Sequence, residues 1–234
     1  MKLGIIGAME VEVATLRDQM DVERTVTRAN MDFSEGVLNG CPAVVVRCGI
    51  GKVNAAACAQ ILADEFGVTH VVNTGVAGSL DNRIEIGDVV VSTDAVHHDM
   101  DVTGLGYAPG EVPQVGTVAF PANDGMRERA VEACHQVVPE IGVFEGRVAS
   151  GDQFIAASAQ KQRIRAAFED VVACEMEGAA IGQVCYVNRV PCAILRAISD
   201  GGDEGAALDY PTFLSAAADT AARALLRFTE VWKA

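Results

Sequence analysis

The feature that most limits how this chain can fold is an alternation. Short, continuously apolar runs give way repeatedly to helix-length amphipathic stretches. Residues 3–8 read as a strand, followed by a helix over 10–20. Residues 33–38 and 43–48 read as strands around Asn39-Gly40, a dipeptide that favours a tight hairpin because both residues accept positive φ. Residues 52–66 are Ala-rich and helical. Residues 71–74 form a strand ending in a glycine turn at 75–78, and 88–92 form another. Past a loop-rich centre over 94–123, helices over 126–138, 160–168 and 177–187 alternate with strands over 147–150, 171–175 and 192–198. A long helix closes the chain over 212–232. Strands that are apolar on both faces need cover on both sides, and strands separated by helices pair in parallel. The expectation is an α/β fold: one domain over 1–234, three-layer α/β/α, with a mixed, mainly parallel central sheet. The 94–123 loop is of a length that usually carries function.

Composition narrows the function classes. Half of the 234 residues are hydrophobic and 21% are charged, enough for a sizeable core. The formal net charge of -14 repels a nucleic-acid backbone. The densest basic run, Lys161-Gln162-Arg163-Ile164-Arg165, reads as a solvated helix face, so no nucleic-acid partner is expected. The apolar run after Met1-Lys2 is too short for a signal-peptide core, and no stretch is long enough to span a membrane. A cytoplasmic location is expected. The 7 cysteines include no Cys-x-x-Cys pair, which fits buried thiols in a reducing compartment rather than a zinc site.

Ligands of open α/β sheets bind beyond the carboxyl ends of the strands, and four such ends carry polar residues. Gly7-Ala8-Met9-Glu10-Val11-Glu12 puts Glu12 in a first helical turn, where electrostatics alone also explain it. Asn73-Thr74-Gly75-Val76-Ala77-Gly78 lets backbone approach a ligand closely. Glu175-Met176-Glu177-Gly178-Ala179 offers carboxylates that could hold sugar hydroxyls or cap a helix. Arg196-Ala197-Ile198-Ser199-Asp200 places an arginine inside an apolar strand, where it needs a partner.

Other motifs lead elsewhere. Gly49-Ile50-Gly51-Lys52 lacks the spacing of a phosphate loop, and no Gly-x-Gly-x-x-Gly is present. His97-His98-Asp99-Met100-Asp101 looks metal-like, but adjacent histidines on an extended segment point to opposite faces. No Gly-x-Ser-x-Gly elbow marks a serine hydrolase. No metal and no cofactor are expected.

Taken together, Gly4-Ile5-Ile6-Gly7-Ala8-Met9-Glu10 with Glu12, Gly49-Ile50-Gly51-Lys52-Val53, Asn73-Thr74-Gly75, Gly87-Asp88-Val89-Val90, His98-Asp99 with Asp101-Val102-Thr103, Ser150-Gly151-Asp152 with Phe154-Ile155, Glu175-Met176-Glu177 and Arg196-Ala197-Ile198-Ser199-Asp200 span nearly the whole chain. In this set and order the chain resembles the 5′-methylthioadenosine/S-adenosylhomocysteine nucleosidases of the nucleoside phosphorylase superfamily. The resemblance implies a nucleoside phosphorylase-like fold and hydrolysis of the bond between adenine and a 5′-thio-substituted ribose. It implies that Asp200, helped by Ser199, protonates adenine N7, and that Glu12 takes a proton from the attacking water with Arg196 nearby. By the same resemblance Glu177 grips the ribose hydroxyls with Met176 against the sugar, within the motif that includes Glu175. Phe154 stacks on adenine and the Ile155 backbone meets its edge. Gly78 and Val76 belong to the central glycine segment of the site. Met9, Ile50 and Tyr210 line the 5′ pocket. Val102, Leu105 and Pro113 come from a second subunit, making a homodimer. The chain departs from the family pattern where Val76 stands in place of a usual Ser, and where Leu105 and Tyr210 stand in place of Phe. The glycine-rich run Gly201-Gly202-Asp203-Glu204-Gly205 is expected to form a mobile flap.

Three rival functions remain. A phosphate-dependent nucleoside phosphorylase needs cations for phosphate, and relatives of that type carry Arg where this chain has Asn73. A futalosine-type hydrolase would keep the acid and base but change the 5′ pocket. A non-catalytic adenosine-binding module would have no need of Glu12, Glu177 and Asp200 together.

Overall fold

The structure, a computed structural model, describes residues 1–232; the last two residues of the expected 1–234 domain lie outside the described part. In chain order the elements are β1 (Leu3–Gly7), α1 (Glu10–Asp18), β2 (Met20–Arg28), β3 (Met31–Leu38), β4 (Cys41–Arg47), α2 (Lys52–Asp64), β5 (His70–Ser79) and β6 (Val89–His97). A 3-10 turn (Thr103–Leu105) leads to β7 (Ala119–Pro121), α3 (Asp124–Val137), β8 (Val143–Ser150) and α4 (Ser158–Ala167). The rest is β9 (Val171–Glu175), α5 (Gly178–Asn188), β10 (Cys192–Asp200) and α6 (Ala206–Val231). Asn39 and Gly40 take φ of 50° and 76°, forming the expected turn between β3 and β4.

The sheet departs from expectation in two ways. It is evenly mixed, with five parallel and five antiparallel strand pairings among the described residues, rather than mainly parallel. It also closes on itself. β5 pairs with β10, β10 with β6, β6 with β8, β8 with β9, and β9 returns to β5. Strands β1, β4, β3 and β2 continue outward from β5 as an arm. β5 makes closure possible because it runs through Gly75 and Gly78 to Ser79 instead of turning there. Its start, His70–Asn73, pairs with β1. Its end, Gly78 and Ser79, pairs with β9. Between those two partners lies a gap in the sheet.

Apolar side chains cover the strands from two groups of helices. Val13 and Leu16 of α1, Met126 and Ala130 of α3, and Leu225 and Phe228 of α6 join one cluster with Ile5, Val45 and Leu195. Cys58 and Leu62 of α2 and Ile181 and Cys185 of α5 join the other with Ile6, Val44 and Val71. Strand β2 has one buried residue, Met20, and an otherwise exposed or half-buried surface. Helix α6 begins at Ala206, earlier than expected, and carries Pro211 inside its second turn. All seven cysteines are buried.

Candidate active site

The gap beside β5 leaves backbone groups of Val76 without a strand partner, and buried backbone groups must be paired. Side chains supply what a strand would. Val76 N–H donates to Glu12 Oε1 at 3.0 Å, and Arg196 Nη1 donates to the Val76 carbonyl at 3.2 Å. Glu12 Oε2 also accepts from the backbone N–H of Ala8 (2.7 Å) and Met9 (2.8 Å). The carboxylate is thus fixed by three backbone donors at the start of α1. Gly75, with φ of 146°, lies against Glu12 and Arg196, and any Cβ there would collide with both.

Arg196, 1% exposed, finds its partners in carboxylates. Its guanidinium pairs with Glu175, lies 3.4 Å from Glu177 and 4.0 Å from Glu12, and donates to Asn73 Oδ1 at 2.5 Å. One cation therefore faces three buried carboxylates. Burial alone would lower its pKa, but Glu175, Glu177 and Glu12 outweigh that and raise it. Glu175 is fully engaged: Ser150 Oγ donates to one oxygen, and Arg196 with the backbone N–H of Glu177 (3.0 Å) and Gly178 (2.8 Å) donates to the other. Its geometry is that of an anchor for Arg196 and for the start of α5. Glu177 has only Gly51 N–H at 2.8 Å and the longer contact to Arg196. Burial pushes its pKa up to about 7, against the pull of Arg196 and with the push of Glu175.

Asp200 closes β10, opposite Gly78 of β5. Its Oδ2 accepts from Ser199 Oγ at 2.9 Å and its Oδ1 from Gly202 N–H at 3.0 Å. Burial raises its pKa, and those two donors pull the other way. A Cβ on Gly78 would lie 2.8 Å from Asp200 Oδ1, so a side chain there would push on the acid.

These groups line one cavity of about 380 Å³. Glu12, Glu175, Glu177, Arg196, Ser199 and Asp200 form its polar side, and Met9, Ile50, Val76, Gly78, Phe154, Met176 and Tyr210 are among the other lining residues. At the mouth, Phe154 packs edge-on to Tyr210 at 5.6 Å, and the Tyr210 hydroxyl donates to Met9 Sδ at 3.2 Å. Ile155 is buried among Leu80, Val96 and Ile164 and borders a small side pocket beside Asp200, not the cavity that Glu12 and Asp200 share. Val102, Leu105 and Pro113 do not line the cavity of their own chain, and Leu105 is exposed. His97 bonds Gln183 at 2.9 Å and packs on Phe120. Among the described residues no cluster of His, Cys, Asp or Glu is placed to hold a metal ion, and no helix is long and apolar enough to cross a membrane.

Sequence reasoning missed the backbone donors at Ala8, Met9, Gly51 and Val76, and the relay through Asn73, whose Nδ2 donates to the Ile6 carbonyl at 3.0 Å. Nothing in a residue string marks which N–H will face a carboxylate across the fold.

The phosphorylase superfamily model matches residues 2–230. A 5′-methylthioadenosine/S-adenosylhomocysteine nucleosidase of Anoxybacillus flavithermus is 42% identical over 93% of each chain. The solved nucleosidase of the same kind from Neisseria meningitidis, in complex with methylthio-immucillin-A, is 38% identical, with a TM-score of 0.95 over 98% of this chain and 99% of that one. Futalosine hydrolase of Helicobacter pylori is 32% identical, with a TM-score of 0.92 over 98% of each chain. On this evidence the chain belongs to the phosphorylase superfamily and, within it, to the 5′-methylthioadenosine/S-adenosylhomocysteine nucleosidase family.

Proposed function

We propose that this protein hydrolyses the N-glycosidic bond of 5′-methylthioadenosine and S-adenosylhomocysteine, and of 5′-deoxyadenosine, releasing adenine and the 5′-substituted ribose. The observation that carries the reading is the pair of fixed acids on one cavity: Glu12, held by three backbone donors, and Asp200, whose pKa burial raises. As the C1′–N9 bond lengthens, its electrons pass into the base and positive charge builds on the sugar. Asp200 delivers its proton to adenine N7, and Ser199 Oγ stabilises the carboxylate left behind. Water attacks C1′ and gives a proton to Glu12. Such general acid catalysis is worth roughly 10²–10⁴-fold. Glu177 accepts from the ribose hydroxyls, Met176 packs on the sugar, and Phe154 stacks on adenine while the Ile155 backbone meets its edge. Glu175 acts on substrate only through Arg196 and the start of α5.

Met9, Ile50 and Tyr210 receive the 5′ substituent. A second copy completes this end with its Val102, Leu105 and Pro113, in a homodimer. The same reading takes the chain as one three-layer α/β/α domain over 1–234, with α1, α3 and α6 on one side of the sheet and α2 and α5 on the other, in a cytoplasmic enzyme without metal or cofactor.

Purified protein is expected to release adenine from 5′-methylthioadenosine in phosphate-free buffer. A strict requirement for phosphate would make it a phosphorylase instead. A futalosine-type hydrolase is the second reading, favoured by the likeness to the Helicobacter pylori enzyme. Faster turnover of aminodeoxyfutalosine than of 5′-methylthioadenosine would select it.

A further inference from the structure

One wall of the cavity is the loop between β8 and α4, which carries Phe154. It has no regular structure, and Phe154 is 47% exposed. A loose loop must be ordered at each binding event, which weakens binding. Two carboxylates tie it down. At its start, Asp152 Oδ1 accepts from Lys52 N–H, the first residue of α2, at 2.8 Å. The N-cap of α2 is Gly51, which has no side chain to offer. Asp152 N–H in turn donates to Asp99 Oδ2 at 3.0 Å, and Lys52 Nζ meets Asp99 Oδ1 at 2.5 Å. At the loop's end, Glu204 accepts from Ser158 N–H at 2.9 Å and Ser158 Oγ at 2.5 Å. Ser158 begins α4, whose N-cap, Ala157, provides no side-chain acceptor.

Two helices thus lack a local cap, and each receives a carboxylate from a distant segment. Both bonds adjoin the site. Gly51, next to Lys52, donates to Glu177. Glu204 follows Asp200 on the glycine-rich segment, and Lys161 Nζ of α4 reaches the Gly201 carbonyl at 2.9 Å. The links run from Glu177 through Gly51-Lys52 and Asp152 to the Phe154 loop, then through Ser158 and Glu204 to Asp200.

We propose that Asp152 and Glu204 are positioning residues for glycosidic hydrolysis: by capping α2 and α4 from across the cavity mouth, they pin the Phe154 loop at both ends and align the stacked base with the sugar grip and the proton donor. This inference rests on the nucleosidase reading. Each bond is exposed to solvent, so one alone holds weakly. A loop that loses one carboxylate keeps the other, whereas one that loses both is held only by buried Ile155 and by the backbone N–H bonds of Asp152 to Asp99 and of Ala156 to Gln160, so the two effects should multiply beyond independence.

The test measures kcat and KM on 5′-methylthioadenosine together with amide exchange across residues 152–158 of the full-length protein. Asp152→Ala and Glu204→Ala should each raise KM roughly five- to tenfold with little change in kcat, and speed exchange in the loop. The double variant should exceed the product of the two. Asp152→Asn and Glu204→Gln keep an acceptor oxygen and should stay within about twofold of the parent. Unchanged KM in both alanine variants would overturn the proposal, as would a fall in kcat and melting temperature without faster loop exchange. If the parent protein does not act on 5′-methylthioadenosine at all, the nucleosidase reading fails, and exchange in the ligand-free protein still decides whether these carboxylates pin the loop.

Discussion

Glu177 makes a quantitative link between the buried charges and stability. Burial pushes its pKa from 4.5 to about 7. The folded protein therefore holds that proton more tightly than the unfolded chain does. The stabilisation is complete below about pH 4.5 and is lost as pH rises through 7. The interval between the two values, at about 1.4 kcal/mol per pH unit, corresponds to roughly 3 kcal/mol, of which about 2 to 3 falls between pH 5 and 8. Glu177→Gln cannot titrate, so the parent should lose that much more stability than the variant over this range. Urea unfolding of both proteins at pH 5, 6, 7 and 8 measures it. On the proposed reading substrate reverses the preference, because ribose hydroxyls would donate to the ionised form. Binding of a nucleoside analogue near pH 6 should thus release protons, visible as a dependence of calorimetric heat on buffer ionisation enthalpy. Parallel stability profiles for the two proteins would refute the reasoning, since Glu177 would then ionise in the folded state as it does in the unfolded chain.

Other outcomes follow from the same geometry. Asp200→Asn should lower kcat by roughly 10²–10⁴-fold while substrate still binds; in the parent, kcat should fall as pH rises through the raised pKa of Asp200, and a rate that climbs with pH instead would remove its role as acid. Arg196→Met leaves Glu175, Glu177 and Asn73 without their shared donor and should destabilise the fold by about 3–5 kcal/mol in urea unfolding; a loss below about 1 kcal/mol would mean the cluster is solvated. Exhaustive treatment with a chelator should leave turnover unchanged, and inhibition reversed by added zinc would point back to His97 and His98.

The sequence was informative where a residue's chemistry conflicted with its surroundings. Arg196 in an apolar strand demanded a partner, and Glu175 answers it. The hairpin at Asn39-Gly40 was legible because both residues tolerate positive φ. Strand β2 was invisible because Asp21, Glu23 and Arg24 face solvent and a single buried residue marks its inner side. The glycines of β5 look like a turn, yet that strand continues because β10 pairs along it from Val71 to Gly78. Closure of the sheet was hidden for the same reason, since it depends on strand β5 changing partners partway. The expected flap at Gly201–Gly205 is tied to α4 by Glu204 and Lys161. Such bonds join segments 46 and 40 residues apart, and no local pattern records them.

The switch of β5 from β1 to β9 has a consequence for how this protein can change over time. The groups proposed to act on the glycosidic bond hang on ring strands or answer their backbone, so altering them breaks ladder pairing or leaves Val76 without partners. The side chains of Met9, Ile50 and Tyr210 sit on loops and on the first turns of α6, outside that ring. On the proposed reading, the side chains for bond cleavage and those for tail selection therefore sit on separate parts of the fold, joined through the Met9 N–H that holds Glu12. Mutation can retune which 5′ substituent is accepted while leaving the cleavage step intact, and divergence among relatives should accumulate at the mouth long before it reaches the ring.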